Sequence, residues 1–284
     1  MSLANDRKAY EEAYTRRSAL TWAMDPSGDE ARVRDWSRSV LVVASSPSYG
    51  GHIASLFDSI VHRHCYIPGL GQGETTEYFG GFYRGRKCTV MHLGITPGAR
   101  GASYMDMGLE RLRYGRCENV ILIGEGSSIQ PDVKVGDLVV ALVTIPEDDI
   151  HRAYSECGAP AMADHALCSA LRVEASQSER MTHCGVCWSC GAGAGVFDPA
   201  LFERAFELHE LGVMADALEA STAYTLGKMI GFRVASLWLV ADSIFEPIPW
   251  TCPSPRLSWE GGWEDLVRIG LDTLVSFRNG EDDG

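Results

Sequence analysis

The chain reads as a single α/β domain with a central mixed, mostly parallel, twisted sheet flanked by helices. Three observations predict this. Short apolar runs of strand length recur at residues 39–44 (SVLVVA), 119–124 (NVILIG), 137–144 (DLVVALVT) and 232–240 (FRVASLWLV). They are nearly unbroken rather than alternating, as strands buried on both faces require. Stretches of helical character separate them, which is the rhythm of a largely parallel sheet. The length of 284 residues, 45% hydrophobic and 22% charged, fits one large core.

Taken in order, residues 1–37 are polar and form an N-terminal extension, with an amphipathic helix expected over 5–20. The domain occupies 38–278, and 279–284 (the NGEDDG end) is a frayed tail. After the first strand, SSPSYGGHIASLF turns into a helix expected over 50–64. Residues 66–81 read as loop, and 81–93 (GFYRGRKCTVMHL) as a hairpin turning at Arg84-Gly85-Arg86. A helix is expected over 103–114, then the strands at 119–124 and 137–144. Residues 145–164 hold two prolines and read as a loop over the site. A helix over 166–174, a strand over 182–189 and a helix over 199–209 follow. The proline-rich 247–255 must be loop, and 259–277 is the last helix.

The stretch GVMADALEASTAYTLGKMIGFRVASLWLVADSI, residues 212–244, organises the rest. Ala217, Ala220 and Ala223, with Leu218 and Tyr224, suit a helix packed closely on a sheet, and Gly231 stands where a C-cap glycine belongs. Glu219 lies at the helix start and Asp242 just past the strand. Carboxylates at the carboxyl end of a central strand in an open α/β sheet are placed where ligands bind.

Composition excludes several classes. A net charge of −13 argues against general affinity for nucleic acid or anionic membrane. No apolar run of about 18 residues is present to span a membrane. Nine cysteines without a leader-like apolar stretch point to free thiols in a reducing cytoplasm. Cys184, Cys187 and Cys190 form CxxCxxC, but on a strand the outer two point one way and Cys187 the other, so they do not converge on a metal. His52 beside Gly-Gly reads as a surface residue. The glycine patterns match no Walker or dinucleotide fingerprint, and the motifs require neither metal nor cofactor.

The ordered blocks YRGRKCTVMHLGI, NVILIGEGSSIQPDVKVGDLVV and LEASTAYTLGKMIGFRVASLWLVADSI resemble the nucleoside phosphorylase/nucleosidase superfamily from about residue 39 to 274. The resemblance implies cleavage of the bond between ribose and a base, with phosphate or water as nucleophile. It implies that Glu219 holds the ribose hydroxyls, since a carboxylate accepts two hydroxyl hydrogen bonds. It implies that Asp242 gives a proton or hydrogen bond to the leaving base, for which a raised carboxyl pKa is needed. Leu218 beside Glu219 and Trp188, the nearest stacking aromatic, complete the implied substrate contacts. A homodimer or a hexamer built as a trimer of dimers is also implied.

Departures from the family pattern bear on the nucleophile. Ser45-Ser46-Pro47-Ser48-Tyr49 stands where Gly-Asp-Pro-x-Arg is expected, so Tyr49 replaces an arginine. Leu122 replaces a second arginine, Glu125 replaces the phosphate-binding serine, and Glu74 aligns with a neighbour-donated arginine. An acid repels phosphate in a pocket of low dielectric. Arg100, in ITPGARGAS, remains as a cation for an anion or as a partner for Glu125. The pattern therefore favours water, with Glu125 as its base and Asp242 as the acid, the two-carboxylate logic of inverting glycosidic cleavage. Phosphorolysis through Arg100 and a silent nucleoside-binding subunit are the alternatives. One family glutamate is missing: its position is Ala217, and the adjacent Asp216, read as helical, points elsewhere.

Overall fold

The computed structural model describes residues 38–45, 50–66, 75–94, 117–155, 159–190, 199–246 and 261–277, with isolated positions at 8, 105, 109 and 112. The expected helices over 5–20 and 103–114 and the loop at 247–255 lie largely outside these residues. Met105, Leu109 and Leu112 are helical and fully buried.

The strands are β1 (Ser39–Ser45), β2 (Ser59–Tyr66), β3 (Thr75–Tyr83), β4 (Arg86–Gly94), β5 (Asn119–Ser128), β6 (Leu138–Glu147), β7 (Ala161–Met162), β8 (Thr182–Cys190) and β9 (Arg233–Ser243). They form one sheet in the order β2-β3-β4-β1-β5-β9-β6-β7, with β8 on β6. The centre, β4-β1-β5-β9, is parallel. β2-β3-β4 and β9-β6 are antiparallel, so the sheet is mixed. The described helices are α1 (Gly50–Ala54), α2 (Asp149–Tyr154), α3 (His165–Ala175), α4 (Pro199–Glu210), α5 (Ala220–Ile230) and α6 (Gly262–Ser276).

Alternate residues of the central strands enter opposite cores. Val40, Leu122, Trp238 and Val240 pack with Ala220, Ala223 and Tyr224 of α5. Leu41, Ile121, Ile123 and Leu239 pack with Leu167 and Leu171 of α3 and Trp263 and Leu266 of α6. The sheet is thus covered on both faces, which explains its unbroken apolar runs. The Tyr224 hydroxyl crosses from α5 to bond the Ala141 carbonyl and Ser236 Oγ, each at 2.6 Å. Gly231, at φ 99°, caps α5 in the left-handed conformation expected of it.

Three expectations are corrected. The helix over 50–64 is only Gly50–Ala54, and Ser59–Tyr66 is a strand paired antiparallel to β3. The β-branched Ile60-Val61 pair and the partner strand outweigh the local helical pattern. The loop over 66–81 gives way to β3 from Thr75, so the hairpin's first arm is longer than expected, although its turn is at Arg84-Gly85 (φ 48° and 72°) as read. The stretch 145–164 is not all loop: it carries the end of β6, α2 and β7. Asp148 N-caps α2 by accepting from the His151 N–H at 2.6 Å.

Candidate functional site

The adjacent parallel strands β5 and β9 end in GEGSS and VADS. Their register runs to Gly126 opposite Val240, slips, and resumes with Ser127 opposite Asp242. Such a bulge re-aims side chains at a sheet rim. Asp242 is half-buried, and its Oδ1 accepts from the Ser243 N–H at 2.8 Å. Burial raises its pKa, and the Ser243 N–H opposes the rise.

The segment joining α4 to α5 completes this rim. It runs as a short extended piece between the ends of β5 and β8, not as helix. Asp216 N–H donates to the Ser127 carbonyl at 2.9 Å; Trp188 N–H donates to Ala215 at 2.9 Å and its carbonyl accepts from Ala217 at 2.7 Å. Isolated bridges pair Ser128 with Ala215 and Trp188 with Asp216. A Cβ on Gly126 would stand 2.3 Å from the Asp216 carbonyl, so only glycine admits this approach.

Asp216 is thereby brought into the site. The reading that it points elsewhere on a helix is corrected, because α5 starts four residues later and Asp216 is in the extended piece. Its Oδ1 accepts from the Ser127 N–H at 2.6 Å. Burial pushes its pKa up to about 7, the Ser127 N–H opposes this, and the neighbouring Asp242 charge adds to it. Glu219 occupies the N-cap position of α5 but makes no capping bond with its side chain. It is 5% exposed, and burial pushes it too up to about 7, with its own N–H opposing and Asp216 adding. Glu219, Asp216 and Asp242 thus form a row in which the Asp242 charge raises Asp216 and the Asp216 charge raises Glu219. Burial penalises a carboxylate's charge, so the row is poised to take protons or hydrogen-bond donors.

Behind the row, polar groups pin the first turn of α5. Ser189 Oγ donates to the Ala217 carbonyl at 2.6 Å and accepts from the Ser221 N–H at 3.2 Å. The buried Asp148 accepts from Ser221 Oγ and, at 3.3 Å, from Thr222 Oγ1.

Other site candidates lie as follows. Glu125 shares a face of β5 with Ile121 and Ile123 and accepts a hydrogen bond from the Trp263 indole N–H on α6. Leu122 is fully buried on the other face. Trp188 is 5% exposed, packs with Ile129, Leu208 and Val213, and donates its indole N–H to Glu147 at 2.9 Å. Leu218 packs against that cluster. Ser45 closes β1 with its backbone opposite Gly94. Tyr49 and Arg100 lie outside the described residues. His52 is half-exposed, 3.6 Å from Glu264. Cys187 and Cys190 enter different cores and Cys184 packs at a third; all three are free thiols. Among the described residues no group of three or more His, Cys, Asp or Glu is arranged to hold a metal, and no helix is long and apolar enough to cross a membrane. A cavity of about 490 Å³ opens elsewhere, between His151, Asp164, Tyr224 and Lys228, and its lining includes none of Glu125, Asp216, Glu219 and Asp242.

A doubly covered α/β sheet with carboxyls at the ends of its central parallel strands defines a ligand-binding fold of the open-sheet kind. Residues 39–250 match the phosphorylase superfamily, and the chain belongs to it. It is 28% identical over 208 residues to a DeoD-type purine nucleoside phosphorylase of Streptococcus suis, covering 72% of this chain and 83% of that protein. It is 24% identical over 254 residues to a DeoD-type 2 purine nucleoside phosphorylase of Vibrio cholerae, covering 87% and 97%. Among solved structures, uridine phosphorylase of Vibrio fischeri, complexed with 6-hydroxy-1-naphthoic acid, superposes with a TM-score of 0.73 at 21% identity, covering 86% of this chain and 94% of that one.

Proposed function

We propose that the protein cleaves the N-glycosidic bond of a nucleoside, with water as the nucleophile. The observation that carries this is the row of Glu219, Asp216 and Asp242 on one side of the β5 end, with Glu125 on the other face. Inverting cleavage needs an acid on the leaving-group side of the anomeric carbon and a base for water on the opposite side. Glu219 accepts the ribose hydroxyls. Asp242, with a raised pKa, donates its proton to the base as the C–N bond breaks and the bonding pair leaves with the base. Glu125, oriented by the Trp263 indole, takes a proton from water as it attacks. The developing oxocarbenium character is stabilised by the nearby carboxylates. Trp188 and Leu218, packed in one apolar cluster, are the substrate contacts on the β8 side in this reading.

Water is preferred to phosphate because Leu122, where the family carries an arginine, is sealed in the core and Glu125 brings negative charge. Phosphorolysis is the second reading, favoured by the relatives, which are purine nucleoside phosphorylases. In that reading Arg100 and a cation from a neighbouring subunit hold the phosphate. Assaying a nucleoside panel with and without phosphate separates the two: phosphate-independent release of base is expected, and strict phosphate dependence overturns the hydrolytic reading. Binding without turnover under both conditions would mark a silent nucleoside-binding subunit. Assembly as a dimer or hexamer, with sites shared between subunits, belongs to the same proposal.

A further inference from the structure

Glu219 stands where the capping side chain of α5 belongs, yet it does not cap. Its backbone lies in the right-handed helical region, at φ −93° and ψ −9°. A cap side chain folds back onto the first turn from extended backbone instead. Glu219 is 5% exposed, and its carboxyl finds no hydrogen-bond partner among the described residues except its own N–H. The first N–H groups of a helix still need acceptors, and a buried helix start cannot take them from water.

Ser189, fully buried near the end of β8, supplies the acceptor. Its Oγ accepts from the N–H of Ser221, the second residue of α5, at 3.2 Å. That is one of the amides an N-cap side chain ordinarily serves. The same Oγ donates to the Ala217 carbonyl at 2.6 Å. Its single proton is committed to Ala217, which leaves its lone pairs for Ser221. One hydroxyl thus grips the chain two residues before and two residues after Glu219. Asp148 adds a second hold from the start of α2, accepting from Ser221 Oγ and Thr222 Oγ1. Ser221 is therefore held by both its N–H and its hydroxyl.

We propose that Ser189 is a positioning residue for sugar binding: it takes over the cap of α5, so that the Glu219 carboxyl is left both free and fixed for the ribose hydroxyls. This rests on the reading that Glu219 holds the ribose. A carboxylate engaged by the Ser221 N–H has fewer lone pairs for two hydroxyls, and one carried on a loose turn must be ordered by the ligand, which lowers affinity.

The test is calorimetry with adenosine and inosine, and with adenine and hypoxanthine as their sugar-free counterparts. Ser189→Ala leaves the Ser221 N–H without its acceptor, and the turn that carries Glu219 shifts to satisfy it. Nucleoside binding is expected to weaken at least about fivefold, while free-base binding stays within about twofold. Glu219→Gln added to Ser189→Ala should weaken nucleoside binding less than it does in wild type, because both changes act on one contact. A serine with a merely structural role would lower the thermal midpoint, keep the nucleoside-to-base ratio and give additive losses. A folded Ser189→Ala protein with the wild-type ratio, or additive losses, therefore overturns the proposal.

Hydrogen exchange at the Ser221 amide tests the cap without touching Ser189, so a misfolded Ser189→Ala leaves the test intact. In Glu219→Gln its protection should stay within about threefold of wild type. A larger loss shows that the carboxyl caps the helix itself, and overturns the proposal. A nucleoside-specific loss in Glu219→Gln without one in Ser189→Ala sinks only the role of Ser189. If Glu219→Gln binds every probe as wild type does, or wild type binds none, the ribose reading fails and the sugar role of Ser189 fails with it, while unchanged protection at Ser221 still assigns the cap to Ser189.

Discussion

The Asp216 carboxyl accepts the backbone N–H of Ser127 at 2.6 Å, across 89 residues of sequence, and so is held beside Asp242, which pairs with the same serine. A peptide N–H favours a carboxylate, yet burial and the Asp242 charge outweigh it and raise Asp216 to about 7.

Stability should therefore fall as pH rises. The folded pKa values of Asp216 and Glu219, about 7 each, lie above the ordinary values of 3.8 and 4.5. Between those limits the folded state holds protons that the unfolded chain has released. Their contribution is thus fully favourable below pH of about 4 and is lost as pH rises through about 7. The slope reaches about 1.4 kcal/mol per pH unit for each group in mid-window. Urea midpoints at pH 5, 6, 7 and 8 should decline, and the decline should flatten in the double variant Asp216→Asn, Glu219→Gln. A decline of the same steepness in the variant would exclude these acids as its cause.

Asp216→Asn alone should raise the thermal midpoint of the unliganded protein at pH 8. It removes a buried charge while keeping the acceptor for Ser127, a gain of about 1–3 kcal/mol. Calorimetric scans at pH 8 and pH 5 should show the gain only at the higher pH.

Gly126→Ala should destabilise the protein by about 2 kcal/mol or more, because the new methyl meets backbone at 2.3 Å rather than a movable side chain. A thermal midpoint within about a degree of wild type would show that β5 and the 215–216 piece separate easily.

Glu219→Gln should weaken nucleoside binding about 10- to 100-fold and leave free-base binding within about twofold, the pattern of a ribose contact worth 1.4–3 kcal/mol, roughly that of a hydrogen bond to a charged group. Asp242→Asn should instead lower kcat by about 10²–10⁴. Isothermal titration and steady-state rates on the same preparations separate the two roles.

The central strands were readable because burial on both faces writes itself as continuous apolar sequence; Val40–Val43, Val120–Ile123 and Val234–Val240 needed no context. Glu219 and Asp242 followed from their positions at a helix start and a strand end. Ser59–Tyr66 was not readable, because its strand identity comes from pairing with β3 rather than from its own pattern. Asp216 was missed for a related reason. The alternation of buried Val213, Ala215 and Ala217 was a signal for extended backbone, but the alanines around it also suit a helix, and only the bonds to Ser127 and Trp188 decide between them. The pairing of Glu125 with Trp263 spans 138 residues and has no local signature.

The strip 215–217 has a kinetic consequence. It bonds to Ser127, 89 residues before Asp216, and to Trp188 on β8, which among the described strands joins the sheet through β6. The longest closure at this rim is the pairing of β5 with β9, which brings Asn119 opposite Arg233. The acid row is complete only once β9, which carries Asp242, has docked on β5. A folding intermediate that already carries most of the native sheet would still be blind to nucleoside, and ligand would act on the last step of folding rather than on the nucleus.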